Sequence, residues 1–299
     1  MKIKTSPSRK VFLVLNYLFL ALSGIVCILP FVNLLAISFS SATPVALGEV
    51  TFWPKEFTLK SYEFIMQNTT FFKSFLVSIV RVVLGVTVNL VLIVLTAYPL
   101  SKSKEQFRAR NVYSWFFVIT ILFNAGMIPT FLVVRYTGLK NTIWSMILPG
   151  ALPVFSMLVV MNFLRGLPKE LEEAAYLDGA GHIQTLVRVI LPLMKPALAT
   201  VALFSIVSHW NAWFDGMLYM ARSEQQPLMT YLRTIIINPS LFFGNSTSVS
   251  STLSEASKYI NTRTIRAAQL IIAAFPMLVI YPFIQKYFTT GLVMGSVKG

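Results

Sequence analysis

The chain is built from long apolar stretches separated by short, mostly basic connectors. Seven windows of more than 18 residues contain no Asp, Glu, Lys or Arg: 11–48, 82–101, 111–134, 141–164, 196–214, 234–254 and 267–285. A charge in hydrocarbon is costly, so such windows predict membrane-spanning helices. The window 234–254 drops out because its second half, GNSTSVSSTLS, is polar and reads as a loop. The window 11–48 is too long for one span, and its helix ends near Ile37, before the polar run SFSSATP. Six helices follow, over about 11–37, 76–100, 111–134, 141–164, 194–214 and 267–286. Each is long enough for a hydrocarbon core about 30 Å thick. The first apolar run continues past Pro30. It thus outlasts the h-region of a leader peptide, about 7–15 residues, and reads as a retained span.

Composition strengthens this pattern. Hydrophobic residues make up 56% of the 299 positions, and charged residues only 12%, about half the share of a soluble domain. Mean hydropathy is +0.70. Soluble, disordered and fibrous classes are therefore excluded. A single cysteine, Cys27, rules out a disulfide framework and any multi-thiolate metal site. The net charge of +14 suits basic loops beside anionic lipid better than nucleic acid in so apolar a chain.

With six spans both termini lie on one side. The segments on that side (the N-tail 1–10, 102–110, 165–195 and the C-tail 289–299) are nearly twice as dense in Lys and Arg as 49–81, 135–140 and 215–266. The positive-inside rule then predicts both termini in the cytoplasm, with a multi-pass transmembrane domain over 11–288. Outside the membrane, Trp53, Phe57 and Tyr62 fit an interfacial aromatic belt. The stretch Tyr231-Leu-Arg-Thr-Ile-Ile-Ile237 offers a surface for an external partner.

The loop 165–192, RGLPKELEEAAYLDGAGHIQTLVRVILP, carries the most information. Pro168 suits the first turn of a helix, and Glu170, Glu172 and Glu173 suit its positive end. Leu171, Ala174 and Ala175 share one small apolar face. Asp178-Gly179 ends the helix, since glycine accepts the left-handed residue. A second amphipathic stretch runs from His182 to Leu191 and closes at Pro192. The prediction is a short helix–turn–helix under the membrane, whose alanines let another protein approach closely.

Glu173-Ala174-Ala175, Gly179, Val189 and Leu191-Pro192 together resemble the EAA loop of bacterial ABC importer permeases, with Val189 in place of the usual isoleucine. The C-tail Gly291-Leu-Val-Met-Gly-Ser-Val-Lys-Gly299 resembles the end of the MalG-type permease of carbohydrate importers. Gly138-Leu-Lys-Asn-Thr142, Leu167-Pro-Lys-Glu-Leu171 and Phe57-Thr-Leu-Lys-Ser-Tyr62 are similar to that family as well. The resemblance covers essentially the whole chain and leans toward its complex-oligosaccharide branch. It implies an all-α polytopic membrane protein of six transmembrane helices with a cytoplasmic EAA-loop coupling helix, the type I importer fold.

The resemblance also implies partners. These are a second, homologous permease, two ATPase subunits that dock on the EAA loops, and an external binding protein that delivers the sugar. ATP and Mg belong to the ATPases, and no cofactor or metal to this chain. Glu173, Ala174, Ala175, Asp178, Gly179, Leu191 and Pro192 are the implied coupling residues. Gly295, Ser296, Val297, Lys298 and Gly299 are the implied tail contact with the ATPase.

For the sugar path, polar residues inside spans are the candidates, because they line cavities or join helices. Asn89 and Asn124 are open to either role. Arg81 either faces the path or snorkels to the headgroups. Trp210, Asn211 and Trp213 either stack on sugar rings or belong to the aromatic belt. His182 and His209 lack a second ligand at metal spacing and read as structural. The chain lacks GxxxxGK[ST], HExxH and GxSxG, so the expectation is a transport subunit that is not an enzyme. The alternative is a self-sufficient secondary transporter or channel, which usually carries ionisable groups or paired broken helices within its spans.

Overall fold

The computed structural model describes residues 7–123, 125–237 and 261–296, and among these all regular structure is helical. Three helices are long and apolar enough to cross a membrane unaided: within α1 (Pro7–Ser38), α4 (Thr69–Ser101) and the last helix, α14 (Thr262–Ser296). Three bent pairs pass the same test together. They are α5 (Arg110–Leu122) with α6 (Met127–Tyr136), the 3-10 stretch 143–150 with α7 (Val154–Arg165), and 182–193 with α11 (Lys195–Asn211). The candidate spans therefore number three to six.

The described chain forms two compact units. In the first, α1 is apolar on all sides, and its membrane-length window has no buried residue. Its C-terminal end is tied to the following segment. Asn33 Nδ2 donates to the Thr51 carbonyl at 2.6 Å, and Ser38 Oγ lies 2.8 Å from the Tyr62 hydroxyl. Phe39 stacks on Phe57 and Tyr62, at 5.4 and 5.1 Å between ring centres. Of the three aromatics read as a belt, Trp53 and Phe57 lie open, at 82% and 66% exposure, and Tyr62 is half-buried. Asn261 fastens α14 here by donating to the Ala42 carbonyl at 3.0 Å.

The second unit is organised around α4. Its buried positions include Ser74, Ser78, Arg81, Gly85, Asn89, Ile93 and Ala97, spaced three or four apart on one face. Its exposed side carries Leu76, Ile79, Val80, Val83, Val91 and Leu95. The helix thus turns its polar and small residues inward and its aliphatic ones outward, as expected where lipid replaces water. Toward one end the stripe becomes apolar. There Ile93, Val94 and Ala97 pack with Met157, Val160 and Leu164 of α7, with Leu186 and Ile190, and with Met194 and Val201. The connecting segment runs through α8 (Glu170–Leu177), α9 (His182–Thr185), a π-helical stretch 186–190 and α10 (Leu191–Leu193). Helix α8 begins two residues after Pro168, which therefore precedes the helix instead of opening its first turn.

Candidate functional site

In the second unit, α4, the bent pair 143–165 and α11 line a cavity of about 580 Å³. Its wall is discontinuous by construction. Pro149 and Pro153 flank the break between the 3-10 stretch and α7, where the two halves meet at 50°. Proline supplies no amide proton, so carbonyls at such a break lose their helical donors. In a membrane they must find others. Two α4 side chains provide them. Arg81 reaches the Met146 carbonyl at 3.4 Å. The Asn89 amide donates to the Ala151 carbonyl at 3.1 Å and to the Gly85 carbonyl at 3.0 Å. Its oxygen then accepts from Ser205 Oγ at 3.2 Å and faces His209 Nε2 at 3.3 Å.

Arg81 does more than fill this gap. One guanidinium nitrogen donates to Asp215 Oδ1 at 3.0 Å and to the Ala212 carbonyl, freed at the end of α11, at 3.3 Å. The other pairs with Asp215 Oδ2. The Arg81 side chain is 2% exposed and that of Asp215 27%. Arg81 therefore does not snorkel; it is held inside a fork-to-fork ion pair. One end of the cavity carries this pair and the other the Asn89–Ser205–His209 cluster. Phe155, Phe204 and Tyr219 add aromatic surface to the lining. Such a lining offers donors, acceptors and ring faces with no net charge.

The other path candidates fall elsewhere. Trp210 is buried with its ring edge-on to Phe75, 5.9 Å between centres. Asn211 is exposed. Trp213 packs under the Arg233 guanidinium at 3.8 Å. None of the three lines the cavity, and Asn124 lies outside the described residues. Asp215, Ser205 and His209, not predicted as site residues, do line it. No local signal marks Asp215, because its partner is 134 positions away and it follows the apolar run as a loop residue would. His209 is set by a close approach: a Cβ on Gly85 would lie 2.5 Å from its Nε2.

The loop 165–192 makes a second, separate feature. Helix α8 ends at Leu177 with Asp178 as its C-cap, and Gly179 takes φ +82°. The Gly179 amide donates to the Tyr176 carbonyl at 3.0 Å and the Ala180 amide to the Ala175 carbonyl at 2.9 Å. This is the paired bonding of a Schellman stop. Ala175 is buried, whereas Leu171, Glu173, Ala174 and Leu177 are exposed. The predicted small apolar face is thus split, one alanine packing inward and the other facing out. Lys102 ties α8 to α4: its ammonium pairs with Glu172 and sits 3.9 Å from the Tyr98 ring centre. Burial, with the Tyr98 hydroxyl close by, pushes the Tyr176 phenol up to about 12. That phenol contacts His182 Nδ1 at 2.9 Å. Pro192 lies in α10 at the junction with the next span, and Leu191 before it. Gly295 and Ser296 end α14, while Val297, Lys298 and Gly299 lie outside the described residues.

Among the described residues the chain is all-helical, with helices of membrane-spanning length, a cavity at the break of one bent pair and an amphipathic helix–turn–helix, which is the outline of a membrane transport subunit. Comparison with known proteins is specific. The chain is 39% identical over 294 residues to Protein LplC of Bacillus subtilis, covering 98% of this chain and 97% of that one. It is 36% identical to the polygalacturonan/rhamnogalacturonan transport system permease YtcP of the same organism, covering 97% and 99%. A solved bacterial ABC transporter involved in import of the acidic polysaccharide alginate shares the fold. That match has a TM-score of 0.85 at 30% identity, over 96% of this chain and 100% of the matching chain. No family model matches the sequence. The chain belongs to the family of membrane permeases that serve carbohydrate ABC importers. Its relatives are transport subunits, not enzymes, in line with the expectation from its motifs.

Proposed function

We propose that this chain forms one side of a sugar pathway in a bacterial cytoplasmic-membrane importer, paired with a second permease and driven by two ATPase subunits. In this reading each bent pair is one span, six in all, with 1–10 and 289–299 cytoplasmic and 11–288 the permease domain. An external binding protein delivers an oligosaccharide. The polysaccharide substrates named for the YtcP permease and the alginate importer support that class. The α8 loop is the coupling element: Glu173, Ala174, Asp178 and Gly179 face the ATPase, Ala175 packs behind them against the permease, and Leu191-Pro192 passes the motion to the next span. The tail from Gly295 to Gly299 makes a second contact. ATP and Mg stay with the ATPases.

One observation carries the pathway: a cavity lined by hydroxyls, an amide and aromatic rings at breaks in the spans. Hydroxyl-rich substrates need that mixture of hydrogen-bonding groups and apolar faces, and broken helices mark the sites of many transporters. Arg81 and Asn89 are its polar elements from the predicted set. The buried Arg81–Asp215 pair and the bent helix pairs are features a self-sufficient transporter would share. The test separates the two. The tagged chain is purified in mild detergent from its host and its companions are identified. Uptake is then measured in proteoliposomes. Recovery of a second permease and an ATPase, with ATP-dependent uptake, is expected. Uptake by this chain alone on an ion gradient would overturn the proposal.

A further inference from the structure

At the opposite end of α4 from the ion pair, three helix ends converge: Ser101 of α4, Arg110 of α5 and Arg165 of α7. Together with α8 they bound a second cavity of about 440 Å³. Four cations line it, Lys102, Arg110, Arg165 and Lys169, against two carboxylates, Glu172 and Glu173. Glu172 is committed to Lys102. Among the described residues, Arg110, Arg165 and Lys169 have no ion pair. Glu105 approaches Arg110 and Lys169 but bonds to the Ser103 side chain.

The two arginines are anchored and only partly used. Arg110 donates to the Lys102 carbonyl at 2.9 Å and weakly to Asn111 Oδ1 at 3.4 Å. Arg165 donates to the Leu100 carbonyl at 3.2 Å. These bonds occupy one carbonyl in the last turn of α4 and one just beyond it, and leave most of the five donors of each guanidinium free. The two like charges lie close enough to repel each other. A pair of fixed guanidiniums facing one cavity with donors to spare matches a tetrahedral oxyanion, which can bridge both forks. The position adds to this. Where three spans end, the chain passes through the layer of lipid phosphates.

We propose that this cavity binds a phosphate group, bridged between Arg110 and Arg165 with Lys169 at the rim, at the membrane surface beside the coupling loop. The group is either the headgroup phosphate of an anionic lipid or a free phosphate. The site rests on the membrane placement of the permease reading and not on the transported sugar.

The test uses the assembled importer in nanodiscs. One arm uses equimolar phosphatidylcholine and phosphatidylglycerol, with native mass spectrometry of lipid retained on release. The other uses phosphatidylcholine alone, with inorganic phosphate titrated by phosphorus NMR line broadening. The variants are R110Q/R165Q, which removes both forks, and R110K/R165K, which keeps the charge, caps the carbonyls less tightly and serves if the first fails to assemble. Retained phosphatidylglycerol that is lost in the variants identifies the lipid headgroup. Saturable broadening that weakens about tenfold in the variants, without lipid retention, identifies free phosphate. No binding in either arm, or equal binding by wild type and variants, overturns the site while an intact assembly leaves the permease reading standing. Failure of wild type to assemble with a permease and ATPases would instead overturn that reading.

Discussion

Removal of either partner of the Arg81–Asp215 pair should destabilise the permease strongly, and removal of both should cost much less than the sum. Arg81 is 2% exposed and makes four polar contacts: both Asp215 oxygens and the carbonyls of Met146 and Ala212. Asp215→Ala leaves a buried cation with only two long carbonyl contacts. Breaking a buried pair this way costs about 3–5 kcal/mol. The 27% exposure of Asp215 lets water reach its side of the pair, which places the expected cost near ~3 kcal/mol, on the order of 150-fold in the folding equilibrium. Arg81→Met should cost a similar amount, because it strands the carboxylate and two carbonyls together. In the double variant no charge is stranded, so the two costs should fall short of additivity by at least ~1.5 kcal/mol. Unfolding of the assembled importer in graded denaturing detergent, followed by tryptophan fluorescence, measures all three. Additivity within about 0.5 kcal/mol would refute the claim that these groups act as one buried unit.

Gly85→Ala should displace His209, since the added methyl would lie 2.5–2.7 Å from its ring atoms. The expected cost is about 1–3 kcal/mol with loss of sugar uptake, and His209→Ala in the same chain should restore much of the stability. Gly179→Pro should uncouple ATP hydrolysis from uptake at normal expression, because proline fixes φ near −65° where the turn needs +82°. Gly179→Asn should be far milder; equal uptake-to-hydrolysis ratios in Pro and wild type would count against the loop as coupling element. The Tyr176 phenol, pushed up from 10 to about 12, binds its proton more tightly folded than unfolded. Its contribution is complete below about pH 10 and is lost as pH rises through about 12. Ultraviolet titration of wild type against Tyr176→Phe should show one phenol fewer ionising near pH 12 in the variant.

The sequence by itself determined the class of protein. Charge-free windows that are also apolar throughout favour hydrocarbon over water, and window edges at Lys102, Arg110, Lys140 and Arg165 fall within a few residues of helix ends or breaks. The Schellman stop at Gly179 was legible too, since its bonds join residues at most five apart and only glycine takes that φ cheaply. Even the inward stripe Ser74, Ser78, Arg81, Gly85 and Asn89 is a local pattern, with a spacing that repeats every turn. What faces that stripe is not local. Asp215 reads as a loop acid, Ser205 as a span residue among many, and His209 as a lone histidine, until folding sets them 116 to 134 positions away in sequence against α4. The breaks at Pro149 and Pro153 show only that a helix is interrupted. Tertiary structure alone decided that the freed carbonyls of Met146 and Ala151 meet Arg81 and Asn89. It also moved Trp210 and Trp213 out of the cavity, because aromatic side chains go wherever packing partners such as Phe75 and Arg233 lie. A backbone donor lost in a membrane must be replaced by whatever side chain the fold brings near. That choice depends on three helices at once, and no single stretch of sequence records it.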